Sequence, residues 1–172
     1  MKPARRLLIG AIVVVGGTIG YPVGRVALLP WERTIQPIAF SHAKHAGDLA
    51  IDCTLCHATA GTGAHASLPT LATCLGCHEE AQTDSAEENK IRELAADGKD
   101  DVFRKTFRLA DHVFYTHQRH VTVAQLPCDT GHGAIAATVE PPERPLKRIT
   151  MDFCVDCHAR SGVTQDCTRC HR

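Results

Sequence analysis

Aromatic side chains are scarce: five Phe, two Tyr and one Trp make up 5% of the 172 residues. Large apolar rings dominate the interior of an ordinary domain, so a sizeable self-made core is excluded. An excess of one charge is missing too. Nineteen Lys and Arg balance nineteen Asp and Glu, and no basic run marks a nucleic-acid binder. There is no glycine-rich phosphate loop and no convincing serine triad, which removes nucleotide-binding and serine-hydrolase chemistries from consideration. Long apolar runs are absent except at the amino terminus.

Cysteine and histidine are plentiful instead, nine and eleven residues respectively, and they fall into one pattern. C-x-x-C-H occurs at Cys53–His57, Cys74–His78, Cys154–His158 and Cys167–His171. This signature attaches c-type haem covalently. The cysteine pairs Cys53 and Cys56, Cys74 and Cys77, Cys154 and Cys157, and Cys167 and Cys170 form thioethers to the porphyrin, and His57, His78, His158 and His171 ligate iron. Structural zinc or a disulfide framework would also use paired cysteines. Neither requires a histidine directly after the second cysteine, yet every pair has one.

The organising stretch is Phe40–His57, in which His42 and His45 precede the first motif. It returns at Phe114–His132, where His117 and His120 precede CDTGH. His42 and His117 each lie eleven positions before the following cysteine, and His45 and His120 each lie eight before it. The chain is therefore a tandem repeat, about 40–78 and 114–158, followed by a lone motif at 167–171. Gly131 occupies the second cysteine's place in the third motif, while Cys128, His132 and the upstream pair stay in frame. A fifth haem held by Cys128 alone is expected, with an empty site and a free thiol as the alternative.

Five motif histidines leave five opposite-face ligands to be found. His42, His45, His117 and His120 supply four. His65, His112 or Met151 can supply the fifth, and His65 is favoured because it sits in a haem-flanking loop. For His112 a surface or propionate contact is expected, and for Met151 packing on a porphyrin face. Iron with two protein ligands offers no open position to substrate, so electron transfer without catalysis is the expected role.

Residues 1–30 read as a separate unit. Lys2, Arg5 and Arg6 precede the apolar run Leu7–Gly24, long enough for about 27 Å of helix, and Arg25 and Trp31 suit the membrane interface. A retained single-pass anchor is expected, with residues 31–172 as a periplasmic pentahaem domain. A cleaved signal peptide is the alternative; it exports the same domain. The fold class expected is mostly irregular and helical with little sheet, dependent on haem for its core. The clearest soluble helix spans roughly 86–97, with Ser85 and Glu88 as a capping box, Gly98 as terminator and a solvated charged face.

The segments PIAFSHAKHAG at 37–47, HASLPTLATCLGCH at 65–78, DHVFYTHQRHV at 111–121, HGAI at 132–135 and TMDFCVDCH at 150–158 resemble class III multihaem cytochromes. The exported part is more specifically similar to the pentahaem cytochrome subunit of alternative complex III and related membrane quinone oxidoreductases. Two departures stand out: Gly131 replaces a thioether cysteine, and Phe107 stands where a histidine is expected. The resemblance implies a subunit at the cytoplasmic (inner) membrane whose partners are integral membrane and iron–sulfur subunits of a quinol oxidoreductase. A periplasmic cytochrome or oxidase would then be the acceptor. The alternative is a free-standing tethered cytochrome serving a terminal reductase or a photosynthetic reaction centre.

Overall fold

The computed structural model describes residues 33–171. The expected anchor, residues 1–30, lies outside them. Among the described residues no helix is long and apolar enough to cross a membrane. Residues Thr34–Arg172 form one compact unit, built from short helices and loops. Its α-helices are α1 Cys53–Cys56, α2 Leu71–His78, α3 Ala86–Ala96, α4 Asp129–His132, α5 Met151–Arg160 and α6 Cys167–Cys170. Two π-helices, Ala43–Asp48 and Arg119–Val123, precede α1 and α4. Among the described residues sheet is confined to one isolated antiparallel bridge, Val113 with His171.

The repeat is structural as well as sequential. His42 to His117 and Cys53 to Cys128 are both 75 positions apart, and the backbone copies itself at that offset. Leu49 N–H donates to Lys44 O at 3.1 Å and Ala124 N–H to Arg119 O at 2.9 Å, the i→i+5 bonds that define a π-turn. Ile51 N–H then reaches His45 O, and Leu126 N–H reaches His120 O, both at 3.0 Å. Between these bonds Ala50 and Gln125 adopt φ of 51° and 52°, the only positive φ among described non-glycine residues. A widened turn makes side chains three apart diverge more than on an α-helix, so the two histidines of each pair face different neighbours.

The two copies clasp each other reciprocally. His117 and Gln118 N–H groups donate to Ala64 O and Gly63 O of the first copy, each at 3.0 Å. In return Ala43 N–H donates to Thr138 O of the second copy at 2.9 Å. Gly133, with φ +67°, makes the turn that starts this second clasp, a conformation suited to glycine.

Apolar burial is thin, as the composition predicts. Ile38, Leu71 and Ile91 are the buried cluster, with Cys74, Leu75, Leu94, Val102 and Phe103 around it. Large apolar side chains beside the cysteine motifs are left outside it: Leu55 is 62% exposed. The cluster joins α2 to α3 and so fixes the second motif. Asp100 closes the start of α2 from outside, its carboxylate accepting from Ala72 N–H at 2.9 Å. The α3 boundaries match the expected ones to within a residue: Ser85 caps the helix by accepting from Glu87 N–H, and Gly98, with φ +72°, ends it.

Candidate functional site

Winding C-x-x-C-H into a helical turn brings its working groups to one side, because residues three and four apart share a helix face. Motif cysteines occupy helix positions in α1, α2, α5 and α6. In α5 both Cys154 and Cys157 are half-buried, whereas in α1 and α6 the first cysteine, Cys53 or Cys167, is exposed and the second, Cys56 or Cys170, half-buried. Each helix is pinned at its start. Asp52 accepts from Thr54 N–H at 2.8 Å and Asp166 from Thr168 N–H at 3.0 Å, so the first and last motifs share an Asp-Cys-Thr cap. Thr150 accepts from Phe153 N–H at 3.2 Å at the start of α5.

The histidines are oriented through Nδ1. His45 and His57 point it at Ser41 O and Ser67 O, at 2.9 and 2.7 Å. His117, His120 and His158 point it at Ala64 O, Thr116 O and Thr164 O, at 3.1, 2.8 and 2.9 Å. A carbonyl only accepts, so Nδ1 carries the hydrogen and Nε2 keeps its lone pair for a metal. His42 Nδ1 meets the Thr138 hydroxyl at 3.2 Å. Phe40 and Tyr115 hold the upstream pairs from the side. Phe40 stacks on His45 at 4.4 Å and meets His42 edge-on at 4.9 Å; Tyr115 repeats this with His120 at 4.3 Å and His117 at 5.0 Å.

Upstream and motif histidines come together in pairs. Ring centres are 6.0 Å apart for His45 and His78, 6.3 Å for His117 and His132, and 6.2 Å for His120 and His158. Two imidazoles on opposite sides of one iron have ring centres about 6.2 Å apart, given a metal–nitrogen bond of about 2 Å. The side chains present therefore fit iron in haem. His42 neighbours His57, and burial first, then the charges of His57 and His45, hold its pKa below the usual imidazole value. Burial does the same to His117.

The structure also brings together the rings of His112 and His171, at 5.4 Å and 27°. His65 is exposed and beside His117. Met151, the first residue of α5, is 64% exposed. Phe107 packs edge-on against His132 at 5.8 Å. Gly131 is in α4, and a Cβ there would meet nothing within 4 Å, so the third motif has room for the cysteine it lacks.

The thiols show which motifs adjoin. Burial, with neighbouring thiols, raises the pKa of several: Cys56 lies near Cys77, and Cys74 near Cys56. Cys128 is raised by burial and then by Cys53. Cys154 is raised by burial, then by Cys170 of the last motif and by Cys157 of its own. The Tyr115 phenol, raised chiefly by burial, stands near both Cys154 and Cys128. The motifs therefore adjoin in the order second, first, third, fourth, fifth. All nine cysteines are free of disulfides. Among the described residues no group of three or more His, Cys, Asp or Glu is placed to hold a bare metal ion.

One residue near the ligands escapes the sequence reading of α3 as a solvated charged face. Glu88 is 6% exposed. Its carboxylate accepts from Gln82 N–H at 2.5 Å, Thr83 N–H at 3.0 Å and Thr83 Oγ1 at 2.7 Å, and lies 3.3 Å from both His78 Nδ1 and Arg92 Nη1. These donors, led by Gln82, pull its pKa down to about 2. Spacing alone marks it only as the fourth residue of a capping box, whose expected return to Ser85 N–H it does not make: Thr83 Oγ1 accepts from that group at 3.2 Å.

Comparison with known proteins agrees with this chemistry. Residues 26–96 match the Class III cytochrome C family. Over 166 residues the chain is 29% identical to the protein named Menaquinone reductase, multiheme cytochrome c subunit, of Nitratidesulfovibrio vulgaris, covering 83% of this chain and 79% of that one. Likeness to class III cytochromes c implies haem c as the cofactor. The likeness to a multihaem cytochrome c subunit runs well beyond that segment.

Proposed function

We propose that this chain is the membrane-anchored, periplasmic pentahaem subunit of a quinone-active oxidoreductase, an electron wire with no catalysis of its own. Haem c supplies a reversible one-electron iron couple when bound. The chain's residues hold it. Cys53 with Cys56, Cys74 with Cys77, Cys154 with Cys157, and Cys167 with Cys170 each make two thioethers, and Cys128 makes one. His42 and His57, His45 and His78, His117 and His132, and His120 and His158 ligate in opposed pairs. His112 completes the set opposite His171, because it is the upstream ring that lies against that motif histidine; the expectation of His65 gives way to it.

The observation that carries this reading is the recurring ring separation of 6.0–6.3 Å in both copies of the repeat. Closing both faces of the iron leaves no place for substrate. Residues 1–30 supply the anchor, and partners are integral membrane and iron–sulfur subunits, as in alternative complex III and its relatives. A periplasmic cytochrome or oxidase exchanges electrons at the other end. The relative's printed name describes reduction of menaquinone, the reverse of outward flow from quinol, and a bis-histidine wire serves either direction. The test is twofold. The isolated protein should have an intact mass with five haems and a low-spin ferric spectrum unmoved by cyanide, and mild detergent extraction should recover it with partner subunits. A large high-spin fraction would overturn the wire, and recovery as a lone monomer would overturn the assembly.

A further inference from the structure

Six of the ligand histidines have neutral Nδ1 partners. His45, His57, His117, His120 and His158 face backbone carbonyls and His42 faces a hydroxyl. His78 faces the carboxylate of Glu88, with Nδ1 and Oε1 3.3 Å apart. The approach is off-line. His78 Nδ1 is the one buried side-chain nitrogen or oxygen without a directed hydrogen-bond partner among the described residues. Glu88 is held by Gln82 and Thr83 from one side, and Arg92 shares its Oε1 at 3.3 Å. The carboxylate is thus built in place, buried and aimed at a ligand ring.

We propose that Glu88 is a positioning residue that lowers the reduction potential of the iron site of His45 and His78. The inference rests on the wire reading above. A fixed negative charge against Nδ1–H makes the imidazole a stronger donor and favours the more positive oxidised iron; second-shell partners act on metals in this way. Burial keeps the interaction from being screened by water. The Arg92 guanidinium opposes it and limits the shift.

The test uses the full-length holoprotein and two variants whose charge effects have opposite signs. Glu88→Gln should shift the reduction equilibrium of one haem about tenfold toward reduction, which is about 59 mV for one electron. The ferric low-spin resonance of the same haem should move with it, while the other four stay in place. Arg92→Met should shift that haem the opposite way. Loosened packing alone would not give opposite signs. If Glu88→Gln loses that haem, Arg92→Met decides alone. Potentials unchanged in both variants, moved in the same direction, or moved at different haems in the two variants would overturn the role of Glu88. Wild-type mass and low-spin spectrum test the wire itself, so the two failures are distinguishable.

Discussion

Substituting Gly131 by Cys tests the third site most directly, and the structure sets what it should cost. Gly131 lies in α4, Asp129–His132, where a Cβ meets no atom within 4 Å. Glycine inside a helix is worth about 0.5–1 kcal/mol less than alanine, so the change should be neutral or slightly stabilising for the polypeptide. The new thiol stands three residues after Cys128 and one before His132, as Cys56 does to Cys53 and His57, and Cys157 to Cys154 and His158. On the proposed single attachment through Cys128, one vinyl group of this haem should remain unreacted in the wild type and move its reduced pyridine band slightly to the red. Gly131→Cys should abolish that component, leave the count at five by intact mass, and leave no thiol for alkylation. An unchanged band with a fully alkylated new thiol would refute the placement of the porphyrin over α4. A wild-type protein with four haems and a reactive Cys128 would refute the fifth site altogether.

Cys128→Ala should leave one haem extractable by acidified acetone and four retained, measured by pyridine assay of the protein before and after extraction. His112→Ala should turn about one fifth of the haem high-spin and cyanide-binding, whereas His65→Ala should leave the spectrum as it is. Leu71, 1% exposed, holds α2 against α3; Leu71→Ala should cost about 2–5 kcal/mol of unfolding free energy, read by chemical denaturation. Ala50→Gly and Gln125→Gly relieve matched positive φ angles, so each should shift stability by at most about 1 kcal/mol with the same sign.

Spacing discloses the repeat because haem attachment ties residue type to position: a cysteine moved by one place misses the porphyrin. The haem motifs, the upstream pairs and the ends of α3 are therefore readable from the chain. The partner of His171 is not. His112 lies far from it in sequence, and the bridge between Val113 and His171 that brings them together leaves no local signal. The register of the aromatic brace is half visible. Spacing by eye starts the second copy at Phe114, but Tyr115, 75 positions after Phe40, repeats its ring contacts. Glu88 is hidden by its company, since a glutamate on a charged helix looks solvated until the loop 82–83 closes over it.

The duplication also suggests how the proposed third site would manage with one thioether. Its ligand His117 is held by Ala64 of the first copy, its anchor Cys128 lies by Cys53, and Tyr115 stands between it and Cys154. The site is therefore enclosed by both copies. A thioether there adds little to what opposed ligands and the clasp already confine, because each successive tether removes less remaining freedom. At the terminal motif Cys167–His171, by contrast, the bridge at Val113 and the ring of His112 are the described tertiary restraints. On the proposed reading, the third motif is thus the place where a lost cysteine should cost least.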